Sequence, residues 1–379
     1  DLGPGDEPAA SLVLHSCLTA LGDLGRYYEM RKPREQRKDW RHSKACYRLA
    51  LRFSCTAGKV HNVLGVVATH EKGRELVAAY SYARALIAST PFPAKENLRS
   101  VLRKVAERTG GRTFVGVDGS AFKSSEYFRS TWHGFEMRLL RGVHALFDEE
   151  AMVKHTEVRP LSEQCAALLQ ELYDLQLQRL DEVLLLRALV LGFAAVLHTC
   201  RSAEGGGAAA AGAEALPHSM YWAAQTEAAV TLLLTVAAPI VGSAASGTGG
   251  LGPVVVLLDW LALNAEVMDD SGGGSAAAAW LRLRDELQRL FTQERLAAGG
   301  ERLEGMLPED VEVRGLPLLE PVLDVRMRKQ RHHGKGRQHL PPDVGDRVRL
   351  ARLRRFAAAH LDCVDPELHG AVQGAAWGR

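Results

Sequence analysis

The chain has 379 residues, of which 46% are hydrophobic and 24% charged, so it can bury a large core over two or three structural units. Its formal net charge is only +2, which excludes the strong overall charge typical of nucleic-acid-coating or membrane-surface proteins. The six cysteines show no Cys-x-x-Cys spacing, and this sparse usage predicts a reducing compartment, cytoplasmic and nuclear. No signal-peptide pattern follows Asp1, and we expect the chain to be a fragment.

Hydrophobic residues that recur every three or four positions predict an all-α protein with no strands. The first four predicted helices form two pairs, 11–31 with 40–53 and 60–69 with 75–89, and the Pro91-Phe92-Pro93 segment ends the second pair. Further helices are predicted at 96–108, 128–147, 161–180, 181–201, 224–241, 254–267, 277–298 and 347–361.

Two apolar or low-complexity segments need separate interpretation. The segment 203–215 is rich in Gly and Ala, which predicts a flexible inserted loop. The segment 183–200 is apolar enough to suggest a membrane span, but Arg187 and His198 favour a buried helix. The apolar run 230–241 is too short for a membrane span and is interrupted by Pro239.

The two N-terminal helix pairs form an internal repeat. Its first helices match at a spacing of 43 residues, where Leu21-Gly22 recurs as Leu64-Gly65. Its second helices match through Ser43, Tyr47 and Ala50 against Ala78, Tyr82 and Ala85. A helical glycine lets another helix approach closely, so the pattern predicts tetratricopeptide-like hairpins. Two repeats alone leave open faces, so we expect them to pack against neighbouring helices.

The sequence contains none of the phosphate-loop, zinc-protease, nucleophile-elbow or calcium-loop motifs, which predicts a protein without catalytic activity, cofactor or metal. Arg26 and Tyr27 are a candidate anion site, because arginine can donate two parallel hydrogen bonds to a phosphate and tyrosine a third. The alternative is a structural pair of Asp23 and Arg26 with Tyr27 in the core. Asn62 is either a helix-start residue or an amide that faces the same groove.

A basic segment near the C-terminus is the second candidate site. Between residues 326 and 355, eleven Lys and Arg face only Asp343 and Asp346. Such a segment can neutralise nucleic-acid phosphates, although only Phe356 lies nearby to stack on a base. A solvated loop and helix is the alternative. The candidate contacts are Arg326, Arg328, Lys329, Arg331, Lys335, Arg337, Arg349, Arg352, Arg354 and Arg355.

Several ordered blocks resemble the SMG adaptors of nonsense-mediated mRNA decay and their relative, the ever-shorter-telomeres subunit of telomerase. The Pro-Phe-Pro segment is most similar to the non-nuclease plant and animal member. The blocks are Leu21-Gly22-Asp23-Leu24-x-Arg26-Tyr27, Tyr47-x-x-Ala50, Gly58-x-x-x-Asn62-x-Leu64, Pro91-Phe92-Pro93-Ala94-Lys95-Glu96-Asn97-Leu98, Leu258-Asp259-Trp260-Leu261 and Leu307-Pro308-Glu309-Asp310.

The resemblance implies a 14-3-3-like tetratricopeptide domain at 1–108, a linker at 109–122, a helical-hairpin domain at 123–361 and a tail at 362–379. It implies that Arg26, Tyr27 and Asn62 bind a phosphorylated segment of the up-frameshift RNA helicase. The family pocket also uses a basic residue from helices upstream of Asp1. It further implies a heterodimer with another family member and no membrane.

Two other functions are compatible with the sequence. The first is a telomerase- or RNA-associated subunit that binds RNA or telomeric DNA through the basic segment. The second is a repeat scaffold whose binding is independent of phosphorylation. Salt-dependent nucleic-acid binding distinguishes the first, and indifference to phosphatase treatment distinguishes the second.

Overall fold

The computed structural model describes residues 7–33, 35–109, 124–147, 158–174, 182–209, 215–245, 251–263 and 274–291, with Leu319, Val348, Arg349, residues 351–353 and Phe356. The described part is almost entirely helical and contains no strand, which confirms the all-α prediction. The predicted linker at 109–122, apart from Thr109 at the end of a helix, and the tail at 362–379 lie outside the described residues, and the predicted domain boundaries stay predictions.

Eleven helices occur in the described residues. Their bounds are α1 Glu7–Arg31, α2 Arg41–Phe53, α3 Gly58–Thr69, α4 Glu75–Ile87, α5 Lys95–Thr109, α6 Ser124–Phe147, α7 Val158–Asp174, α8 Glu182–Ala209, α9 Ala215–Ala245, α10 Leu251–Leu263 and α11 Ser275–Phe291. The chain divides into two compact units, Asp1–Lys104 with Arg314–Glu320, and Val105–Val313 with Pro321–Arg379.

The first unit contains two helical hairpins, α1 with α2 and α3 with α4. Five buried side chains form the core between the hairpins, where Trp40 and Tyr47 pack with Val60, Val63 and Val67. Removing these apolar surfaces from water contributes roughly 1.5–3 kcal/mol for each large side chain. This core fixes α3 against α2 and therefore fixes the relative positions of the side chains on the two hairpins.

Gly58 allows the second hairpin to close tightly. A Cβ at this position would lie 2.5 Å from the Ala85 carbonyl oxygen and 2.8 Å from the Phe92 nitrogen. The Gly58 amide donates to the Thr90 carbonyl at 2.9 Å, and the Phe92 amide donates to the Ala85 carbonyl at 2.9 Å. The Pro-Phe-Pro segment therefore closes the hairpin through backbone hydrogen bonds to α4 and to the residues before α3.

The second unit is built around the long helix α9, which packs against α7, α8 and α11. The rings of Phe193 and Trp260 stack at 5.0 Å between α8 and α10. Glu227 on α9 accepts the Ser275 backbone N–H at 2.7 Å and the Ser275 hydroxyl at 2.9 Å. This carboxylate supplies the N-terminal cap of α11 from a neighbouring helix.

Two predictions about this unit are wrong in part. Residues 203–209 belong to α8 and Ala215 begins α9, whereas a loop was expected at 203–215; residues 210–214 lie outside the described part. Alanine has the highest helix propensity, which outweighs the glycine content. Pro239 does not interrupt α9. It lies near the end of the helix and is buried, so tertiary packing compensates for the missing hydrogen bond.

Within the described part of the chain, two helical segments are long and apolar enough to cross a membrane, Glu182–Cys200 and Ala224–Ala244. Within them, 67% and 78% of the residues are buried inside the protein. Their apolar side chains face other helices, as in the core of a helical domain, and this burial agrees with the interpretation of 183–200 as a core helix.

Candidate functional site

The site begins with a close contact between α1 and α2. A Cβ at Gly22 would lie 2.5 Å from the Tyr47 ring, so only glycine lets this ring pack flat on α1. The second hairpin repeats the contact, since a Cβ at Gly65 would lie 2.6 Å from the Tyr82 ring. The glycine in each Leu-Gly pair therefore provides space for one buried tyrosine on the partner helix.

The Tyr47 hydroxyl forms a hydrogen-bonded triad with two charged residues of α1. It donates to Asp23 Oδ1 at 2.7 Å and accepts from Arg26 Nε at 3.2 Å. Arg26 Nη2 also donates to Asp23 Oδ1, at 3.1 Å. The predicted pair of Asp23 and Arg26 is therefore present, and Tyr47 joins it to α2.

These contacts control the protonation and the geometry of the guanidinium. Burial lowers the pKa of Arg26, but hydrogen bonds to Tyr47 and Asp23 outweigh it, and the net effect is a raised pKa. Burial and the Asp23 contact raise the pKa of the Tyr47 phenol, so it remains a neutral donor. Nε and Nη2 are occupied along one edge of the guanidinium, Nη1 lies 3.5 Å from the Met30 sulfur, and a contact with the Tyr27 side chain also raises the pKa of Arg26, whose side chain is 10% exposed.

Tyr27 lies directly against Arg26. The guanidinium carbon is 4.2 Å from the centroid of the Tyr27 ring, which is a cation–π contact. Tyr27 is 53% exposed, so the alternative that placed it in the core is wrong. The core position belongs to Tyr47, and Tyr27 instead covers one face of the guanidinium while remaining accessible to a ligand.

Two basic residues near Arg26 were missed by the sequence analysis. The pKa of His70 is lowered by burial and by the positive charges of Lys38 and Arg26, so the three side chains lie within electrostatic reach. The His70 ring stacks on Trp40 at 5.2 Å. His70 falls 43 residues after Tyr27, at the equivalent repeat position, but this spacing does not indicate that it approaches Arg26. The surroundings of Arg26 therefore favour an anion.

Asn62 lies in the second turn of α3 and is buried. Its side-chain oxygen accepts a hydrogen bond from Asn97 Nδ2 of α5 at 2.9 Å. The described contacts bring Arg26 and Tyr27 together but do not join either of them to Asn62. Asn97 was not singled out as a site residue, because an asparagine on a distant helix carries no local signal.

Most of the basic C-terminal segment lies outside the described residues, including all its candidate contacts from Arg326 to Arg337 and both Arg354 and Arg355. Arg349 is half-buried and Arg352 is buried. Arg352 therefore packs within the protein, which sets it apart from a solvent-exposed phosphate contact.

No cluster of three or more His, Cys, Asp or Glu suited to a metal ion occurs in the part of the chain that the structure describes. The five cysteines described, Cys17, Cys46, Cys55, Cys165 and Cys200, are free thiols. Burial raises the pKa of the Cys165 thiol to about 12, so this cysteine stays protonated inside the helical core.

Comparison with known proteins identifies the family. No curated protein matches the chain. A chain of the C. elegans SMG5–SMG7 complex matches in structure with a TM-score of 0.45 and 16% identity, over 91% of this chain and 67% of that chain. The family described as the Est1 DNA/RNA binding domain matches residues 43–322. This match covers most of the protein, and the chain therefore belongs to the Est1 DNA/RNA-binding domain family, the family of the SMG adaptors related to nonsense-mediated mRNA decay.

Proposed function

We propose that the protein is a non-catalytic adaptor that binds a phosphorylated serine or threonine segment of the up-frameshift RNA helicase. Arg26 binds the phosphate, Tyr27 adds a hydroxyl donor, and Asn62 holds the peptide backbone. The observation that carries the proposal is the orientation of the guanidinium by Asp23 and Tyr47.

The free edge of Arg26 suits a phosphate. Tyr47 and Asp23 occupy Nε and one proton of Nη2, which leaves the Nη1–Nη2 edge for a bidentate contact. Because the side chain is already fixed, phosphate binding orders few additional rotatable bonds. The Asp23 carboxylate offsets part of the Arg26 charge, so binding of a phosphate here depends on the two parallel hydrogen bonds as well as on charge.

Lys38 and His70 strengthen the same preference. Burial and the positive charges of Lys38 and Arg26 lower the pKa of His70, so the imidazole is held neutral and Lys38 is the second positive charge. A bound phosphate reverses the local charge and raises the pKa of His70.

Peptide binding by matched Arg26 variants tests this function. Fluorescence anisotropy compares phosphorylated and unphosphorylated forms of one helicase peptide. Arg26→Glu is expected to abolish the preference for the phosphorylated form, and Arg26→Lys to weaken it by about 1.5–3 kcal/mol because the bidentate contact is lost. Arg103→Glu makes the same charge change at an exposed position of α5 and is the control.

Unchanged phosphopeptide affinity in Arg26→Glu would overturn the pocket assignment. Equal affinity for both peptide forms in the parent protein would instead favour a scaffold that is independent of phosphorylation. Circular dichroism of each variant confirms that the helices remain folded, so that a loss of binding reports on the site.

We further propose that the adaptor acts in the cytoplasm and the nucleus and forms a heterodimer with another family member. A second candidate function is RNA or telomeric DNA binding through the basic segment 326–355, as in a telomerase-associated subunit. The family description supports nucleic-acid binding by the matched residues 43–322, which end before this segment, and the net positive charge of the segment is what favours it as a location. Replacing its Lys and Arg by Gln is then expected to remove salt-dependent binding of single-stranded nucleic acid.

A further inference from the structure

Helix α2 lies in a long stretch of sequence without acidic residues. From Arg41 to His70 the chain has five Lys and Arg and no Asp or Glu. Thirty residues without a carboxylate are unusual in a protein with nearly balanced charge. The formal charges on α2 itself are therefore all positive, and Asp39 and Glu71, which lie outside the stretch, pair with two of them.

Burial sorts the side chains of α2 into two faces. Its buried residues are Ser43, Cys46, Tyr47 and Ala50, whereas Arg41, Arg48 and Arg52 are exposed. Spacings of seven and four residues place these three arginines along one side of the helix over about 16 Å. We call this row the α2 arginine stripe.

Two members of the stripe have no described counter-charge. Arg41 pairs with Asp39 at 2.6 Å, and the neighbouring Lys44 pairs with Glu71 at 2.6 Å. Among the described residues, neither Arg48 nor Arg52 has a carboxylate within ion-pair distance. Their charges are therefore available to an external anion.

Apolar and aromatic side chains border the stripe. Leu49 is 40% exposed and Phe53 is 36% exposed, one turn apart at the C-terminal end of α2. Phe53 directly follows Arg52, and since consecutive residues on a helix point about 100° apart, its exposed ring lies on the flank of the stripe. Arginines that contact phosphates next to aromatic rings that stack on bases are typical of single-stranded nucleic-acid binding.

We propose that the exposed face of α2, with Arg48, Arg52 and Phe53, is a binding site for single-stranded nucleic acid. The family description names DNA and RNA without assigning residues, and this face supplies a location outside the basic C-terminal segment. An acidic protein segment would satisfy the arginines but would make no use of the Phe53 ring. The site is independent of Arg26 and of the phosphopeptide function.

Binding of a fluorescein-labelled oligouridylate to the full chain, measured by anisotropy over a range of KCl concentrations, tests the proposal. Replacing Arg48 and Arg52 together by Ala is expected to reduce the salt slope by about 1.4, since each single-strand phosphate contact contributes about 0.7. At about 0.1 M salt this corresponds to a roughly twentyfold loss of affinity. Phe53→Leu is expected to cost roughly tenfold without changing the slope, because stacking releases no counterions.

The matched control replaces Arg103 and Lys104 of α5, both exposed, by Ala and removes the same charge. It is expected to leave the slope unchanged. An equal slope change in this control, or full loss of binding only when the basic segment 326–355 is neutralised, would overturn the proposal. Competition by polyglutamate that depends on Arg48 and Arg52, together with unchanged oligouridylate binding by Phe53→Leu, would assign the face to an acidic protein instead.

Discussion

The two N-terminal hairpins share one packing device but use different polar contacts. In each, a glycine accommodates a tyrosine ring, Gly22 with Tyr47 and Gly65 with Tyr82. In the first hairpin the hydroxyl joins Asp23 and Arg26, whereas in the second it contacts Thr69, the residue equivalent to Arg26. The repeat therefore preserves a shape, and the charged triad is an addition confined to the first hairpin.

The hairpins also differ in what covers their first helix. Val60, Val63 and Val67 of α3 are buried against α2. The equivalent positions of α1 hold Cys17, Ala20 and Leu24, which are exposed, and Leu24 is 66% exposed. Equivalent positions in a repeat thus acquire different burial according to the neighbour on that side.

The glycines should be the positions least tolerant of change. Gly22→Ala and Gly65→Ala both force a Cβ into a tyrosine ring, and each is expected to destabilise the protein by about 1–3 kcal/mol. Gly142→Ala in α6 is the control, because its Cβ would meet Leu232 at an ordinary 3.5 Å. That variant should gain about 0.5–1 kcal/mol from helix propensity. Urea unfolding measures all three, and a stabilised Gly22→Ala would show that the tyrosine contact is not tight.

Removing the tyrosine hydroxyl should destabilise the first hairpin more than the second. Tyr47→Phe breaks hydrogen bonds to two charged groups and is expected to cost about 1.5–3 kcal/mol, whereas Tyr82→Phe loses a neutral contact worth about 0.5–1.5 kcal/mol. Tyr47→Phe should also weaken phosphopeptide binding, because Arg26 loses the partner that orients Nε. Equal costs in the two variants would mean that the triad adds nothing to the shared packing.

The loss of folding stability at acid pH should arise from His61 in the second hairpin. His61 occupies the position of Leu18, and burial together with the charge of Arg84 holds its pKa well below the ordinary value. Below about pH 6.5 the unfolded chain takes up a proton that folded His61 does not, so stability falls with a slope of up to about 1.4 kcal/mol per pH unit. His61→Leu is expected to flatten this slope in urea unfolding between about pH 6.5 and 4.5. Parallel curves for variant and parent would contradict this assignment.

The sequence was sufficient to predict the helices of the first unit and its two hairpins, because apolar period, proline and glycine are local signals. It predicted the pair of Asp23 and Arg26 for the same reason, since a spacing of three residues on a helix brings side chains together. It could not predict that Tyr47 completes the triad, that Asn97 binds Asn62, or that Lys38 and His70 approach Arg26. Those contacts depend on how separate helices pack, and no local pattern encodes them.

The smallest expected effect concerns the ion pair between α2 and the turn that follows α3. Lys44 and Glu71 are 2.6 Å apart with side chains 24% and 29% exposed, whereas Arg41 and Asp39 have the same separation at 88% and 46% exposure. Lys44→Met is expected to cost about 0.3–1 kcal/mol and Arg41→Met about zero, because solvent screens the exposed pair more strongly. The Lys44 effect should shrink at high salt, as thermal unfolding in low and high NaCl measures. Equal costs for the two variants would mean that the Lys44–Glu71 pair stabilises the protein no more than the exposed Arg41–Asp39 pair. The apolar core between the two hairpins would then hold them together by itself.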